Sequence, residues 1–248
     1  MAKPVVPALS GLERMARHRA IWAGRPELRW VYHGWFQELL KHVAGRRPVV
    51  EVGGGPGFFK EYHPQLISTD VTGAPWLDVA CDACALPFPS ESIGALVMVD
   101  VLHHLARPLD FLDEAARVLR PGGRLAVIEP WLTPLSYLIY RFLHHERCEA
   151  LMDLASPFGL AQKDAWDGNA AIPFRLVQHV SANQSPESLR IAVLRVFMAV
   201  PYLFSFGFKC SRRLPIAWVH AGGTLEQLAR PLVRWTATRA LVVWEKSA

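Results

Sequence analysis

Apolar residues recur at helical spacing in the first part of the chain, over residues 12–43. Side chains three and four positions apart lie on one face of a helix, so this spacing predicts amphipathic helices. The pattern breaks near Gly24 and Pro26, two residue types that interrupt helices. The sequence therefore predicts two amphipathic helices before residue 48.

After residue 47 the pattern changes to short apolar runs of strand length. These runs cover residues 48–52, 66–70, a weaker 77–81, 94–99 and 124–129. Helical spacing returns over residues 108–119 and ends at Arg120-Pro121-Gly122-Gly123, where proline cannot continue a helix. Strands that alternate with helices predict an α/β fold, with a parallel sheet covered on both faces.

Beyond residue 130 this alternation weakens. We predict helices over residues 134–146 and 189–198, a loop over residues 161–173, and a closing strand over residues 239–245. Because there is no internal repeat and no sharp change in composition, we predict one domain over residues 1–248. Its parts are an N-terminal helical cap (1–47), a ligand-binding core (48–130), and a lid with closing strands (131–248).

Half of the residues (51%) are apolar, so a membrane span is the first possibility to examine. The longest stretches without charge, residues 196–208 and 214–225, are shorter than the roughly 20 residues that cross a bilayer. The first residues include no apolar stretch of signal-peptide length. Four scattered cysteines are too few for a disulfide framework, and we expect a cytoplasmic protein.

The net charge of +5 is unevenly distributed along the chain. Residues 1–47 carry nine basic and three acidic side chains, residues 48–206 carry 11 and 17, and residues 207–248 carry seven and two. Basic ends permit contact with RNA or peripheral contact with an anionic membrane. A solvated basic face is the simpler explanation of a charge of this size.

A glycine-rich segment follows the first predicted strand and precedes a predicted helix; it is Glu51-Val52-Gly53-Gly54-Gly55-Pro56-Gly57. Glycines at alternate positions permit a tight turn and let a nucleotide-like ligand approach the backbone. A dinucleotide fingerprint starting at Gly53 would need glycine where Phe58 stands. No G-x-x-x-x-G-K-[ST] loop occurs either, so hydride transfer and nucleotide hydrolysis are disfavoured.

Acidic residues close the strands that follow. Asp70 ends the second strand, Asp82 precedes Leu86-Pro87-Phe88, and Asp100 ends the fourth. A carboxylate after the second strand can accept hydrogen bonds from both hydroxyls of a ribose. These acids and the glycine loop would share one edge of the sheet.

In this combination the chain resembles the class I S-adenosylmethionine-dependent methyltransferases, over about residues 48–130. The matching pieces are the glycine segment, Asp70, residues 82–89, residues 100–105 and Leu119-Arg120-Pro121-Gly122-Gly123. The resemblance implies a Rossmann-like, seven-stranded sheet with helices on both faces. Its last strand, here residues 239–245, would run antiparallel to its neighbours.

The same resemblance implies that S-adenosylmethionine is the cofactor. The glycine loop would lie against the methionine and ribose part, Asp70 would hold the ribose hydroxyls, and Asp82 with Ala83 would contact the adenine edge. The full set of implied cofactor contacts is Glu51, Gly53, Gly55, Gly57, Asp70, Asp82, Ala83 and Asp100.

A sulfonium methyl group is already activated. The protein therefore has to place an acceptor in line and, for a hydroxyl, remove its proton. His103 and His104 follow the fourth strand, and we expect at least one of them to act as the base. His145 and Glu129 are rival bases, and Glu129 and Asn169 are also candidate contacts of the acceptor.

The predicted lid is rich in Trp, Tyr, Phe and Leu, which favours a small-molecule acceptor, apolar or lipid-like. The histidines suit removal of a proton from a hydroxyl, which favours methylation at oxygen. We expect no nucleic-acid partner, because a nucleic-acid channel would be wide and basic. The alternatives are an RNA methyltransferase and a noncatalytic S-adenosylmethionine-binding module. Cys81 and Cys84 have metal-ligand spacing but no second pair, so we expect no metal.

Overall fold

A computed structural model gives the fold and describes residues 9–142, 147–155, 164–182, 189–209 and 211–247. The helices are α1 (Gly11–Gly24), α2 (Pro26–Val43), α3 (Pro108–Val118), α4 (Pro134–Phe142), α5 (Ile172–Ser181), α6 (Val200–Ser205), α7 (Ile216–Leu228) and α8 (Val233–Thr236). The strands are β1 (Val49–Val52), β2 (Ile67–Asp70), β3 (Val79–Ala80), β4 (Ile93–Val99), β5 (Leu119–Pro130), β6 (Leu189–Phe197) and β7 (Arg239–Lys246). Short 3₁₀ turns cover Phe59–Glu61, Leu102–His104, Gly207–Lys209 and Arg230–Leu232.

The strands form one seven-stranded sheet in the order β3-β2-β1-β4-β5-β7-β6. The first five strands pair in parallel, and β7 runs antiparallel to both β5 and β6. The predicted Rossmann-like α/β sheet and its antiparallel closing strand are thus confirmed. Because Pro130 pairs with Arg239, β7 begins at the edge where the parallel strands end.

Helices cover both faces of this sheet, as predicted. Successive strand residues point to opposite faces. Val50 and Leu96 pack in one apolar cluster with residues of α3 and α5. Their neighbours Val49 and Ala95 pack in a second cluster with residues of α1 and α2.

The two N-terminal helices form where the sequence predicts them. The Ser10 hydroxyl accepts a hydrogen bond from the Glu13 amide, and the Glu13 carboxylate accepts one from the Ser10 amide, a reciprocal cap for α1. Between the helices, Arg25 is fully buried. Its guanidinium donates to the carbonyl oxygen of Ser205 at 2.6 Å, which ties the helices to α6.

The predicted helix over residues 189–198 is wrong, because this segment is the edge strand β6. It contains the β-branched residues Ile191, Val193 and Val196, which favour strands. Its backbone pairs with β7 along its length. The apolar spacing fits a helix as well as a strand, and the available partner strand decides between them.

The predicted helix after the glycine segment is also wrong. Only nine residues separate Gly57 from β2, and they form the 3₁₀ turn Phe59–Glu61. Phe58 stacks on Trp22, and Phe59 stacks on Phe36. Burial of these rings against α1 and α2 takes the place of a covering helix.

Two further predictions fall partly outside the described residues. The described part of the helix predicted over residues 134–146 is α4, and residues 143–146 lie outside the described residues. The described part of the predicted loop over residues 161–173 forms turns until α5 begins at Ile172. None of the described helices is long and apolar enough to cross a membrane.

Candidate active site

The glycine loop after β1 adopts backbone conformations that favour glycine. Gly53, Gly55 and Gly57 have φ values of +74°, +46° and +78°, in the left-handed region where a side chain is strained. The Gly54 amide donates to the carbonyl oxygen of Thr69 at 2.7 Å, and the Gly57 amide donates to that of Gly54 at 2.8 Å. The loop is therefore folded tightly against the end of β2.

The surroundings of the three glycines differ. A Cβ atom on Gly53 would lie 2.3 Å from the side chain of Val101, and one on Gly57 would lie 2.9 Å from Trp76. A Cβ on Gly55 would meet nothing nearer than 4.0 Å. Gly53 and Gly57 thus pack against the protein, whereas Gly55 borders open space that a ligand can occupy.

Asp70 at the end of β2 holds the loop. Its Oδ2 accepts a hydrogen bond from the Gly55 amide at 3.0 Å, and its Oδ1 accepts one from the Thr72 amide at 2.8 Å. Burial raises the pKa of this carboxyl group, although the two amide hydrogen bonds oppose the shift. Asp70 lies beside Gly55 as expected, and its contact with ribose hydroxyls stays a prediction.

Glu51 lies beneath the same loop. Its side chain is 7% exposed, and its Oε2 accepts no hydrogen bond from any described residue. A Cβ on Gly54 would lie 2.8 Å from this oxygen. Burial, and then the neighbouring Asp70 carboxylate, raise the pKa of Glu51 to about 8.

These features fit S-adenosylmethionine. The cofactor carries positive charge on its sulfonium and amino groups. The orphaned carboxylate oxygen of Glu51 would compensate such a charge, and open space beside Gly55 lets a ligand reach the backbone. Glu51 and Gly55 therefore have the chemistry and the clearance that the cofactor requires.

The predicted adenine contacts lie after β3. Asp82 is exposed, its Oδ1 accepts a hydrogen bond from the Cys84 amide at 2.8 Å, and its Oδ2 lies 3.6 Å from Arg107. Ala83 is buried in the core cluster. Burial raises the pKa of both Cys81 and Cys84, that of Cys84 to about 12. The roles of Asp82 and Ala83 toward adenine stay predictions.

Asp100 is part of an ion pair that the sequence does not reveal. It has a φ of +58°, its carboxylate pairs with the guanidinium of Arg239, and the Tyr32 hydroxyl donates to it at 3.4 Å. The guanidinium also faces the rings of Trp35 at 5.4 Å and Tyr202 at 5.0 Å. Burial lowers the pKa of Arg239 to about 10, so this guanidinium stays charged near neutral pH.

His103 is buried in the 3₁₀ turn after β4. Its Nδ1 lies 2.6 Å from Oε2 of Glu129. Oε1 of Glu129 accepts hydrogen bonds from the amides of Val101 and Leu102 at 2.7 and 2.8 Å. Since Val101 also packs against Gly53, the turn that carries His103 adjoins the glycine loop.

His104 is half-buried beside His103, with the two ring centroids 4.1 Å apart. Gly168 covers both rings, because a Cβ there would lie 2.8 Å from His103 and 2.9 Å from His104. The third histidine predicted as a base, His145, lies outside the described residues. Of the three histidines predicted as bases, the structure thus places His103 and His104 in the turn that adjoins the glycine loop.

Asn169 lies beside the two histidines. Its backbone amide donates to the carbonyl oxygen of His103 at 2.8 Å. Its side-chain Oδ1 accepts hydrogen bonds from the backbone amides of Glu149 and Ala171. Asn169 therefore positions the loop over the histidines, and its contact with an acceptor stays a prediction.

Oxygen and nitrogen atoms of Asp100, His103 and Glu129 lie within 4.8 Å of one another, a spacing that could hold a metal ion. Both carboxylates already have partners: Arg239 for Asp100, and His103 with two amides for Glu129. Hydrogen bonds and ion pairs within the protein therefore account for this group.

Sequence reasoning missed two residues that hold the glycine loop from outside. Trp76 donates from Nε1 to the carbonyl oxygen of Gly55 at 2.8 Å. Arg19 of α1 donates to that of Pro56 at 2.6 Å, and its guanidinium lies 4.6 Å from the Trp76 ring. No local pattern marks them, because Arg19 and Pro56 are 37 positions apart.

Known proteins resemble parts of this chain. Residues 50–127 match a family described as a methyltransferase domain. A protein of Mycobacterium marinum described as an uncharacterized methyltransferase is 32% identical over 120 residues, covering 40% of this chain and 46% of that protein. A demethylmenaquinone methyltransferase of Tropheryma whipplei is 52% identical over 44 residues, which are 18% of each chain. The chain thus spans less than half the length of these curated relatives.

Among solved structures, a SAM-dependent methyltransferase from Archaeoglobus fulgidus aligns with a TM-score of 0.54 and 14% identity. The alignment covers 88% of this chain and 94% of that one. At this identity the likeness shows a shared fold.

Proposed function

We propose that this chain, a member of the class I S-adenosylmethionine-dependent methyltransferases, methylates a hydroxyl oxygen of a small, apolar or lipid-like acceptor. The observation that carries this proposal is the His103–Glu129 pair, held in a turn that packs against the glycine loop. A base beside the cofactor site suits an acceptor that must lose a proton.

S-adenosylmethionine, when bound, supplies an electrophilic methyl group on its sulfonium. We assign Glu51 to its positive charge, Gly55 to close backbone approach and Asp70 to the ribose hydroxyls. His103 would take the proton from the acceptor hydroxyl while the new carbon–oxygen bond forms and the carbon–sulfur bond breaks. Glu129 would orient the His103 ring and balance its positive charge.

A cavity with a mainly apolar lining, to which the charged Glu38, Arg195 and Arg230 also contribute, supports the acceptor class. It has a volume of about 750 Å³ and lies between α2, the end of β6 and α6–α7, with Trp30, Trp35, Phe197, Met198 and Tyr202 among its lining residues. Trp35 and Tyr202 also face the guanidinium of Arg239, so the cavity adjoins the Asp100–Arg239 pair. We propose that it holds the apolar part of the acceptor.

The domain layout follows from this assignment. We propose that the N-terminal cap (1–47) and the lid (131–215) enclose the acceptor above the cofactor-binding core (48–130). We also propose that the protein acts in the cytoplasm, where its few, scattered cysteines would remain reduced.

The test uses methyl-labelled S-adenosylmethionine with fractionated extracts of the source cells. Label in an organic-soluble product, identified by mass spectrometry as a methyl ether, supports the proposal. Label in RNA would overturn it. Cofactor binding without turnover on any fraction would instead indicate a binding module.

Variants of the cavity sharpen this test. Met198→Trp should fill the cavity and reduce turnover of the apolar acceptor, with unchanged affinity for S-adenosylmethionine. Leu151→Trp is the matched control, because Leu151 is 93% exposed and does not line the cavity. Equal turnover by both variants would contradict the assignment of the cavity.

A further inference from the structure

Helix α7 leaves an apolar surface uncovered. Only Val219 and Gly222 of this helix are buried. Trp218, Leu225 and Leu228 of this helix are nevertheless exposed, Leu228 by 75%. At 100° per residue, Leu228 lies nearly opposite the buried pair, while Trp218 and Leu225 lie on the flank beside Gly222. A surface helix normally carries polar side chains at its exposed positions, so these exposed apolar side chains are suited to contact with another apolar phase.

The apolar surface continues into the segment that follows α7. Leu232 is 50% exposed and Trp235 is 47% exposed. The guanidinium of Arg234 lies 3.9 Å from the Trp235 ring, which places cationic and aromatic groups together. Tryptophan and arginine at the margin of an apolar surface are typical of segments that lie in a membrane interface.

The charged side chains in and around α7 are mostly basic. Residues 199–238 contain five Lys or Arg and a single acid, Glu226. The Glu226 carboxylate accepts hydrogen bonds from the amides of Met198, Ala199 and Val200 at 3.1–3.2 Å, at the start of α6. Its negative charge is therefore directed inward, and the outer side is left basic.

Basic residues flank the apolar surface at both ends. Arg213 precedes α7, while Arg230 and Arg234 follow it, and all three are exposed. None of the three forms an ion pair with another described residue. Unpaired cations around an apolar patch complement the negative headgroups and acyl boundary of an anionic bilayer.

We infer that α7 and the segment through Trp235 form a docking surface for anionic membranes, in which the leucines and tryptophans enter the acyl boundary and the arginines bind headgroups. This surface is distinct from the glycine loop and the His103–Glu129 pair. The inference does not depend on which acceptor is methylated.

Cosedimentation with vesicles tests the docking surface, using the full chain and two lipid compositions. One is phosphatidylcholine alone, and the other is phosphatidylcholine with phosphatidylglycerol in a two-to-one mixture. We expect binding to the mixed vesicles at low salt and its decline as salt rises. Leu228→Glu and Arg234→Glu should each lower the partition coefficient by roughly ten-fold.

Matched controls separate docking from general changes in charge and polarity. Leu151→Glu introduces the same group at a highly exposed leucine elsewhere, and Lys41→Glu reverses a basic charge on α2, where Lys41 is 70% exposed. Both should bind like the unchanged protein, and melting curves should show that all four variants fold.

Three results would overturn the inference. They are absence of binding to mixed vesicles at low salt, equal loss in the control variants, and a reversible dimer that Leu228→Glu dissociates in sedimentation velocity without any vesicle binding. The last result would show that a second copy of the chain covers α7.

Discussion

Nδ1 of His103 lies 2.6 Å from Oε2 of Glu129, and the other oxygen of this carboxylate accepts two backbone hydrogen bonds from the turn that carries the histidine. The carboxylate favours the imidazole form with its proton on Nδ1. In the neutral ring, Nε2 then holds the lone pair that can accept a proton. The ring is fixed before an acceptor binds, because Glu129 holds both the side chain and the backbone of the turn.

If His103 is the base, variants of the His103–Glu129 pair should affect turnover and cofactor affinity differently. His103→Ala should lower turnover by roughly 10² to 10⁴-fold while cofactor affinity stays nearly unchanged, because it removes the base and leaves the glycine loop intact. Glu129→Gln should lower turnover by a comparable factor: its oxygen would keep the two backbone hydrogen bonds, so its NH2 group would face Nδ1 and favour the ring form with the proton on Nε2, which has no lone pair there to accept a proton. Turnover with the true acceptor and calorimetric affinity for S-adenosylmethionine measure the two effects.

His104→Ala is the control for His103. It removes the neighbouring ring without breaking the contact with Glu129. If His104→Ala loses turnover and His103→Ala does not, His104 is the base. If both keep full turnover, positioning of a reactive acceptor, or His145, carries the rate.

The glycine loop, Asp70, the strand-four histidines and Glu129 could be placed at one edge of the sheet from sequence. Each follows a strand of a parallel sheet, and local order along the chain determines which edge it reaches. Arg239 could not be assigned to Asp100 in this way. Its position depends on β7 running antiparallel beside β5, a pairing of residues more than 100 positions apart.

The misassigned strand β6 has a related cause. Residues 189–197 occupy an edge of the sheet, where burial alternates along the strand only over residues 189–194, while the spacing of the apolar residues also fits a helix. Arg19 and Trp76 were missed because both contact backbone carbonyls of the loop. Such contacts depend on tertiary packing, including that of α1, and produce no recognisable pattern of residue types along the sequence.

Gly55→Ala should weaken S-adenosylmethionine binding by at least ten-fold. Its Cβ would enter the open space beside the loop, where no protein atom lies nearer than 4.0 Å. The positive φ also strains the alanine by about 1 kcal/mol, so a control for strain is needed. Gly45→Ala supplies it, because Gly45 has a φ of +74° and open surroundings away from the loop.

Calorimetric titration and urea denaturation of both variants separate the two effects. We expect similar losses of stability and a loss of cofactor affinity only in Gly55→Ala. Equal affinity in the two variants would show that the cofactor does not approach Gly55.

Arg239→Met should destabilise the fold by about 3 kcal/mol, because it leaves the Asp100 carboxylate without its cation in a largely buried place. The side chains of Arg239 and Asp100 are only 9% and 22% exposed. Lys246→Met on the same strand is the control, since its partner Glu91 is 57% exposed and such a pair contributes about 0–1 kcal/mol. Urea denaturation measures both, and similar losses would contradict a special role for the Asp100–Arg239 pair.

The raised pKa of Glu51 predicts that binding of S-adenosylmethionine releases a proton. Burial and the Asp70 carboxylate raise the pKa of Glu51 to about 8, so the free protein holds this proton at neutral pH. A cation bound beside the carboxylate favours its ionised form and lowers its pKa. Affinity for S-adenosylmethionine should therefore rise with pH until about pH 8 and level off above it.

The raised pKa of Glu51 also makes the free energy of unfolding depend on pH. An unfolded glutamate titrates near pH 4.3, so the folded state binds the proton more tightly between about pH 4 and pH 8. Its stabilising contribution is complete below this window and is lost as pH rises through about 8. Glu51→Gln should remove this loss, and its stability should exceed that of the unchanged protein most clearly above pH 8.

Calorimetry in two buffers with different ionisation enthalpies tests the proton release directly. At neutral pH, the apparent binding enthalpy of the unchanged protein should depend on the buffer, because the buffer takes up the released proton. The dependence should be lost in Glu51→Gln, which has no proton to give at that position. If the unchanged protein and Glu51→Gln show the same buffer dependence, Glu51 does not sense the charge of the cofactor, and another group must compensate it.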